Sequence, residues 1–127
     1  FVALRGINYD GHDFIAEAFR FGAVAAIVES DCVVPSELGP IFLVESPLMA
    51  LGQIAKQHRS KFQIPVVCIT GSSGKTTTKE MVASVLGNRF NVLKSKGSEN
   101  NEIGVPNTLL KLNAKHEVVV LELAARR

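Results

Sequence analysis

The chain has 127 residues, enough for one ordinary domain or two very small ones. Its 46% hydrophobic and 20% charged residues make it globular and exclude disordered and collagen-like chains. Lys plus Arg is 14 against 12 acids, a net charge of +2 with no basic stripe, which argues against a nucleic-acid groove or a polybasic membrane patch. No apolar run approaches the roughly 20 residues of a membrane span. With no charged-then-apolar leader, and with Cys32 and Cys68 in apolar surroundings without metal-like spacing, the expectation is a cytoplasmic chain with reduced thiols. The opening at Phe1 and the stop soon after an apolar run read as a piece of a longer protein.

Residues 1–4 are apolar and read as a short buried strand. Gly6, Asn8, Asp10 and Gly11 supply the turn chemistry of the loop that follows. Asp13 is the expected cap of a helix with Phe14, Ala18 and Phe21 on its packed face, and Gly22 fits the position that closes it. Residues 23–28 form a second strand, so strand, helix and strand follow one another as in a right-handed parallel crossover. A polar loop with Pro35, Gly39 and Pro40 leads to a third strand over 41–44. Ser46 and Pro47 then make the cap and first position of a helix striped by Leu48, Leu51, Ala55, His58 and Phe62, with His58 read as a packing residue.

Gln63, Ile64 and Pro65 mark the best boundary, because the pattern restarts after them. A strand over 66–70, a Gly/Ser loop over 71–75 and a helix from Thr76 to about Leu86 come next, with Met81, Val82 and Val85 facing inward. A short strand at 91–93, a polar loop over 94–102, a helix over 106–112 and a buried strand over 118–123 complete the chain. The fold class is α/β, two units in tandem, with strands 66–70 and 118–123 parallel.

The sharpest motif is Thr70-Gly71-Ser72-Ser73-Gly74-Lys75-Thr76-Thr77, between a strand and a helix. Gly71 and Gly74 let the backbone curl so that successive N–H groups converge on one anion, and the helix start adds its positive dipole end. Lys75 supplies charge for β- and γ-phosphates, and the Thr76 hydroxyl suits Mg²⁺. Ile69 stands where the strict phosphate-loop pattern has glycine, leaving the shorter G-x-x-G-K-T. The bland alternative is a Ser/Gly turn before a lysine. Lys79, a helical turn further on, is expected to matter much less than Lys75. Glu122, at the end of an apolar strand, is expected beside Thr76 at the ligand edge of the sheet as a metal-associated acid; the alternative is a solvated strand end. Asn100 and Asn101 precede a rigid turn, and either shape that turn or hold a phosphate or substrate carbonyl. Arg5, Gly6, Asp10 and His12 follow the first strand, where ligands sit in α/β folds, and read equally as turn chemistry and a helix cap.

These motifs resemble the Mur ligase family. The resemblance rests on residues 70–77 with Lys79-Glu80-Met81, on Asn100-Asn101-x-Ile103-Gly104-Val105-Pro106-x-Thr108-Leu109-Leu110, and on the opening Phe1-Val2-Ala3-Leu4-Arg5-Gly6 with Asp10-Gly11-His12-Asp13-Phe14. Within the family it is most similar to the member that adds D-alanyl-D-alanine. It implies an N-terminal α/β substrate domain over 1–63 that binds the UDP end of the substrate, then the start of a P-loop ATPase domain over 64–127. The implied activity is ATP-driven amide formation between UDP-MurNAc-tripeptide and D-alanyl-D-alanine through an acyl phosphate, in peptidoglycan precursor synthesis, by a protein monomeric when full length. The implied site has Gly71, Ser72, Ser73, Gly74, Lys75, Thr76 and Thr77 on ATP, and Thr76 and Glu122 on Mg²⁺. Lys75, Asn100 and Asn101 are its catalytic residues, with Arg5, Gly6, Asp10 and His12 on the substrate. The tail from Leu121 to Arg126 keeps the family's acid but not its usual glycine. Rival readings are a sister ligase adding a diamino acid, whose loop has Thr-Asn where this chain has Ser72-Ser73, a free-standing P-loop module, and a regulatory domain that keeps a phosphate loop.

Overall fold

The computed structural model describes residues 1–33 and 37–124. Pro35 of the expected loop and the tail beyond Ala124 lie outside the described residues. The chain forms two compact units, Phe1–Leu51 and Gly52–Arg127. The division by contacts falls inside a helix, whose last turns engage the second unit. There His58 Nε2 meets the Leu112 carbonyl at 2.8 Å, and Arg59 donates to the carbonyls of Phe62 and Ile64.

In the first unit, β1 (Ala26–Glu29) and β2 (Ile41–Val44) pair in parallel, with Ala26 opposite Ile41. Residues 1–4 do not form a full strand. They join β1 through a single parallel bridge, Val2 to Ile27, with the Ala3 N–H donating to the Ile27 carbonyl. A 3₁₀ turn (Gly11–Phe14) runs into α1 (Ile15–Arg20). Asp10, not Asp13, caps the turn, accepting from the His12 N–H at 2.9 Å. Gly22 closes α1 with φ +94°; its N–H bonds the Phe19 carbonyl and that of Ala23 bonds Ala18, a double bond pattern that satisfies the orphan carbonyls. The packed face of α1 differs from expectation. Phe14 and Phe21 are exposed, while Ile15 and Phe19 join Ala3, Ala26 and Val28 in the core. α2 (Pro47–Arg59) starts as its sequence signals, the Met49 N–H donating to Ser46 Oγ at 3.3 Å.

In the second unit, β3 (Val66–Ile69), β4 (Val92–Lys94) and β5 (Val118–Glu122) make a parallel sheet in the order β3-β5-β4. β5 is buried at every residue, as a central parallel strand covered on both faces must be. Val119 and Leu121 face a core with Leu112, Val105, Leu109, Phe62 and Ile64. Alternation turns Val118, Val120 and Glu122 to the other face, where α3 (Lys75–Gly87) packs on the strand. Cys68 is exposed on β3 rather than packed in a core. α3 shows a second departure from expectation. Met81 and Val85 are exposed, and the residues it buries are Lys79 and Ala83. α4 (Gly104–Leu110) begins two residues before Pro106, which tolerates the first turn because an N–H there has no helical partner.

Candidate functional site

The site forms where β3 and β5 end side by side, with Ile69 opposite Glu122. Ile69 is the last residue of β3, so the position of the missing glycine belongs to the sheet, and the phosphate-type loop starts at Thr70. Gly71 and Gly74 take φ +148° and +73°, conformations that side chains disfavour. Gly74 sits at the N-cap of α3, and the Thr78 N–H is the one that bonds the Gly74 carbonyl. The N–H groups of Lys75, Thr76 and Thr77 therefore have no helical acceptor and point out of the helix start. Lys75 folds back on this loop, donating to the Gly71 carbonyl at 2.8 Å.

Glu122 is the hub. Its Oε2 accepts from the Thr76 hydroxyl at 2.8 Å and its Oε1 from Asn100 Nδ2 at 2.8 Å. Its own N–H donates to Ser95 Oγ at 3.1 Å. Lys79 Nζ stands 4.0 Å from Oε2. Burial pushes the Glu122 carboxyl up, but the hydrogen bonds from Asn100 and Thr76 and the charges of Lys79 and Lys75 outweigh it, so its pKa lies below the ordinary value. The carboxylate is thus ionised at neutral pH.

A cleft of about 310 Å³ opens here, lined by Gly74, Lys75, Thr76, Thr77, Asn100 and Glu122. Unpaired amides, a helix N-terminus and a lysine suit a polyphosphate. A hydroxyl and a carboxylate are hard oxygen donors that suit Mg²⁺, which takes few protein ligands and completes its shell with phosphate oxygens and water. Among the described residues no cluster of three or more His, Cys, Asp or Glu could hold a metal alone. One hydroxyl and one carboxylate, Thr76 and Glu122, fit a metal that arrives with a nucleotide.

Residues 69–127 match the family model of the Mur ligase middle domain. The UDP-N-acetylmuramoyl-tripeptide–D-alanyl-D-alanine ligase of Synechocystis sp. is 46% identical over 126 residues, covering 99% of this chain and 28% of that protein. The Bacillus subtilis protein of the same name is 40% identical over 97% of this chain and 27% of its own length. The chain is similar to Mur ligases over nearly its whole length, and residues 69–127 match their middle domain. It spans under a third of the relatives it matches. Among solved structures, the MurF ligase of Thermotoga maritima in complex with ADP superposes with TM-score 0.87 and 46% identity, over 100% of this chain and 29% of that one. MurF of Acinetobacter baumannii gives TM-score 0.88 and 40% identity, over 98% and 27%.

The expected site residues fall into three sets. Gly74, Lys75, Thr76, Thr77, Asn100 and Glu122 line one cleft, with Gly71, Ser72 and Ser73 in the loop beside it. Asn101 is engaged elsewhere: its Oδ1 accepts from the N–H groups of Ile103 and Gly104, at 3.2 and 2.8 Å, and caps α4. Arg5, Gly6, Asp10 and His12 form a separate loop in the first unit. Arg5 Nε donates to Asp10 at 3.2 Å, and its guanidinium also pairs with Glu29 and with Asp31. His12 Nε2 accepts from the Glu29 N–H at 3.0 Å, so Nδ1 carries the proton and donates to Asp10 at 2.5 Å. Bonds from the His12 backbone and ring, helped by Arg5, lower the Asp10 pKa to about 2.

Two residues of the site escaped the sequence reading. Ser95 is fully buried and accepts from Glu122, a role no motif announces. Lys79, read from the sequence only as less important than Lys75, is fully buried, with Nζ on the Gly97 carbonyl, 3.2 Å from Glu80 and 4.0 Å from Glu122. Its helical spacing from Thr76 and Lys75 was the available signal.

Proposed function

We propose that the protein containing this chain is an ATP-dependent ligase that joins D-alanyl-D-alanine to UDP-MurNAc-tripeptide in peptidoglycan precursor synthesis. In this reading residues 1–63 belong to the domain for the UDP substrate and residues 64–127 open the ATPase domain. The protein works as a monomer in the cytoplasm, where ATP is at hand. The observation that carries the reading is the convergence of a phosphate-type loop, Thr76 and Asn100 on one ionised carboxylate, Glu122. The names of the similar proteins support this choice of substrates.

The chemistry transfers the γ-phosphoryl group of ATP to the substrate carboxylate, with ADP leaving. The amine of D-alanyl-D-alanine then attacks the acyl carbon, phosphate departs, and the amine gives up a proton. Mg²⁺, when bound, neutralises charge on the phosphates. The chain's own part is positioning. The amides of Lys75 to Thr77 and the glycine-shaped loop hold phosphate oxygens. Lys75 leaves the Gly71 carbonyl for the β/γ-phosphates. Thr76 and Glu122 present oxygens to the metal, and Asn100 lies between nucleotide and acceptor. Preorganised donors of this kind need no reorganisation as charge moves. Asn101 contributes by fixing the turn that carries Asn100. Arg5, Gly6, Asp10 and His12 are assigned to the loop on which the UDP end rests, Arg5 keeping its shape.

The test is phosphate release by the full-length protein with ATP, Mg²⁺ and UDP-MurNAc-tripeptide. Release that requires D-alanyl-D-alanine supports the assignment. A requirement for a free diamino acid instead would move the protein to a sister step. Release independent of any acceptor would make it an ATPase of another kind.

A further inference from the structure

Lys79 is a fully buried cation on the face of α3 that packs on the sheet, and its side chain is among the largest buried ones. Burying a charge is costly unless it is paired and hydrogen-bonded, and an apolar replacement is often as stable. The amino group is not directed at the phosphate loop. It reaches the carbonyl of Gly97, which has φ +54° and lies in the middle of the loop from Ser95 to Asn100.

That loop is tied to β5 at both ends. At one end the Ser95 N–H donates to the Val120 carbonyl at 3.1 Å, and Ser95 Oγ accepts from the Glu122 N–H. At the other, the Ala124 N–H donates to the Asn100 carbonyl at 2.9 Å, and Asn100 Nδ2 donates to Glu122. Between these ties the loop turns on itself, the Glu99 N–H bonding the Lys96 carbonyl and the Asn100 N–H bonding that of Ser98. Lys79 fastens the middle of this arch to α3, the helix that starts at the phosphate loop. The same amino group lies between Glu80 at 3.2 Å and Glu122 at 4.0 Å, so it is held from two sides while it holds Gly97.

We propose that Lys79 is a positioning residue: by clamping the Gly97 carbonyl to α3 it sets the arch that presents Asn100 to Glu122 and the nucleotide. It touches neither substrate nor phosphate, and acts through Asn100. The inference rests on the ligase reading above for its activity assay, but not for its structural readouts.

The experiment uses the full-length protein with Lys79→Met, Lys79→Gln, Asn100→Ala and the double variant Lys79→Met/Asn100→Ala. Lys79→Met and Asn100→Ala are each expected to lower kcat at least about tenfold, with KM for ATP within about threefold, a loss confined to the reacting complex. The double variant should be no slower than Asn100→Ala alone, because the two residues act in one chain of contacts. Calorimetry with ADP in EDTA should give the same affinity for Lys79→Met as for the unsubstituted protein. Backbone amides of residues 96–100 should exchange with deuterium faster. Lys79→Gln keeps a donor for Gly97 without the charge, and is expected to recover most of the kcat.

Additive losses in the double variant would overturn the proposal. So would a fall in ADP affinity matching the fall in kcat, which would place Lys79 with the phosphate loop. A Leu112→Ala variant serves as comparator, since Leu112 is a buried core residue that does not line the cleft. If it loses the same thermal stability and the same kcat, Lys79 is architectural. If Lys79→Met and Lys79→Gln both fail to fold, the conclusion is again architectural. Absence of any phosphate release by the unsubstituted protein, with ADP binding and exchange behaving as expected, would sink the ligase reading and leave the clamp standing.

Discussion

Two polar clusters follow strand-like segments in this molecule, and they use their charges in opposite ways. Around Arg5, the guanidinium meets Asp10, Glu29 and Asp31, and His12 is locked between Asp10 and the Glu29 backbone. The cluster is internally satisfied and largely at the surface. Around Glu122 the carboxylate is also paired, but the amides at the start of α3 are unspent, and Lys75 rests on a single loop carbonyl. The first cluster ties a loop shut; the second keeps donors in reserve. Position after a strand in an α/β fold does not separate the two, whereas unused hydrogen-bonding capacity does.

Substitution should expose this contrast. The largest effect is expected from Lys75→Ala in the full-length protein. It should cut ligation by about 10²–10³-fold, the usual loss of a preorganised charge donor, and leave the unfolding temperature nearly unchanged. Steady-state phosphate release beside a thermal melt checks both halves. A large stability loss with modest activity loss would make Lys75 a structural residue instead.

Gly11→Ala tests the tied loop. A Cβ there would come within 2.6 Å of the Leu4 nitrogen and 2.8 Å of its carbonyl oxygen, both backbone atoms that cannot step aside cheaply. Overpacking of this kind costs about 1–3 kcal/mol, to be read from urea unfolding. An unchanged midpoint would mean the loop is looser than its hydrogen bonds say.

The acid limb of stability comes next. Asp10 has a folded pKa of about 2 against an ordinary 3.8. A depressed carboxylate contributes stability that is complete above the unfolded value and disappears as pH falls through the folded one. The unsubstituted protein should therefore lose stability between about pH 4 and pH 2 more steeply than Asp10→Asn, as a pH series of denaturant melts would reveal. Parallel curves would show that the His12 and Arg5 bonds are weak in solution. The smallest effect is expected from Arg5→Ala. Its side chain is 48% exposed, and surface ion pairs are worth about 0–1 kcal/mol, so the urea midpoint should barely move.

Much of the second unit was legible because its signals are local. A strand, two glycines, a lysine and two threonines in a row carry their own geometry, and Ser46-Pro47 and Gly22 mark helix ends by backbone chemistry alone. Glu122 could be placed beside Thr76 because parallel strands end at one edge. The failures have a common physical origin. Met81 and Val85 looked inward only because Lys79 looked polar. The true inward stripe of α3 runs through a lysine whose partner is a carbonyl 18 residues away in sequence, and no periodicity encodes that contact. Asp13 had the residue type of a cap, but Asp10 was better placed once the chain began with a 3₁₀ turn. Residues 1–4 have strand composition, yet their pairing reduces to a bridge, which depends on the register with β1. Asn101 read as chemistry and turned out to be engaged in capping, since the same amide serves either purpose.

The strand order β3-β5-β4 also has a consequence for how the molecule comes into being. The central strand is the last of the three to be synthesised. Among the described residues β3 and β4 have no ladder to each other, and each pairs with β5. Glu122 sits in the last rung of that ladder, opposite Ile69, and a slip of one residue would turn it to the wrong face. The phosphate loop therefore leaves the ribosome well before its carboxylate does, and waits as an unpaired turn. Pairing between segments so distant in sequence is slow. The register that pairs β5 with β3 is thus also what brings Glu122 to Thr76 at the cleft.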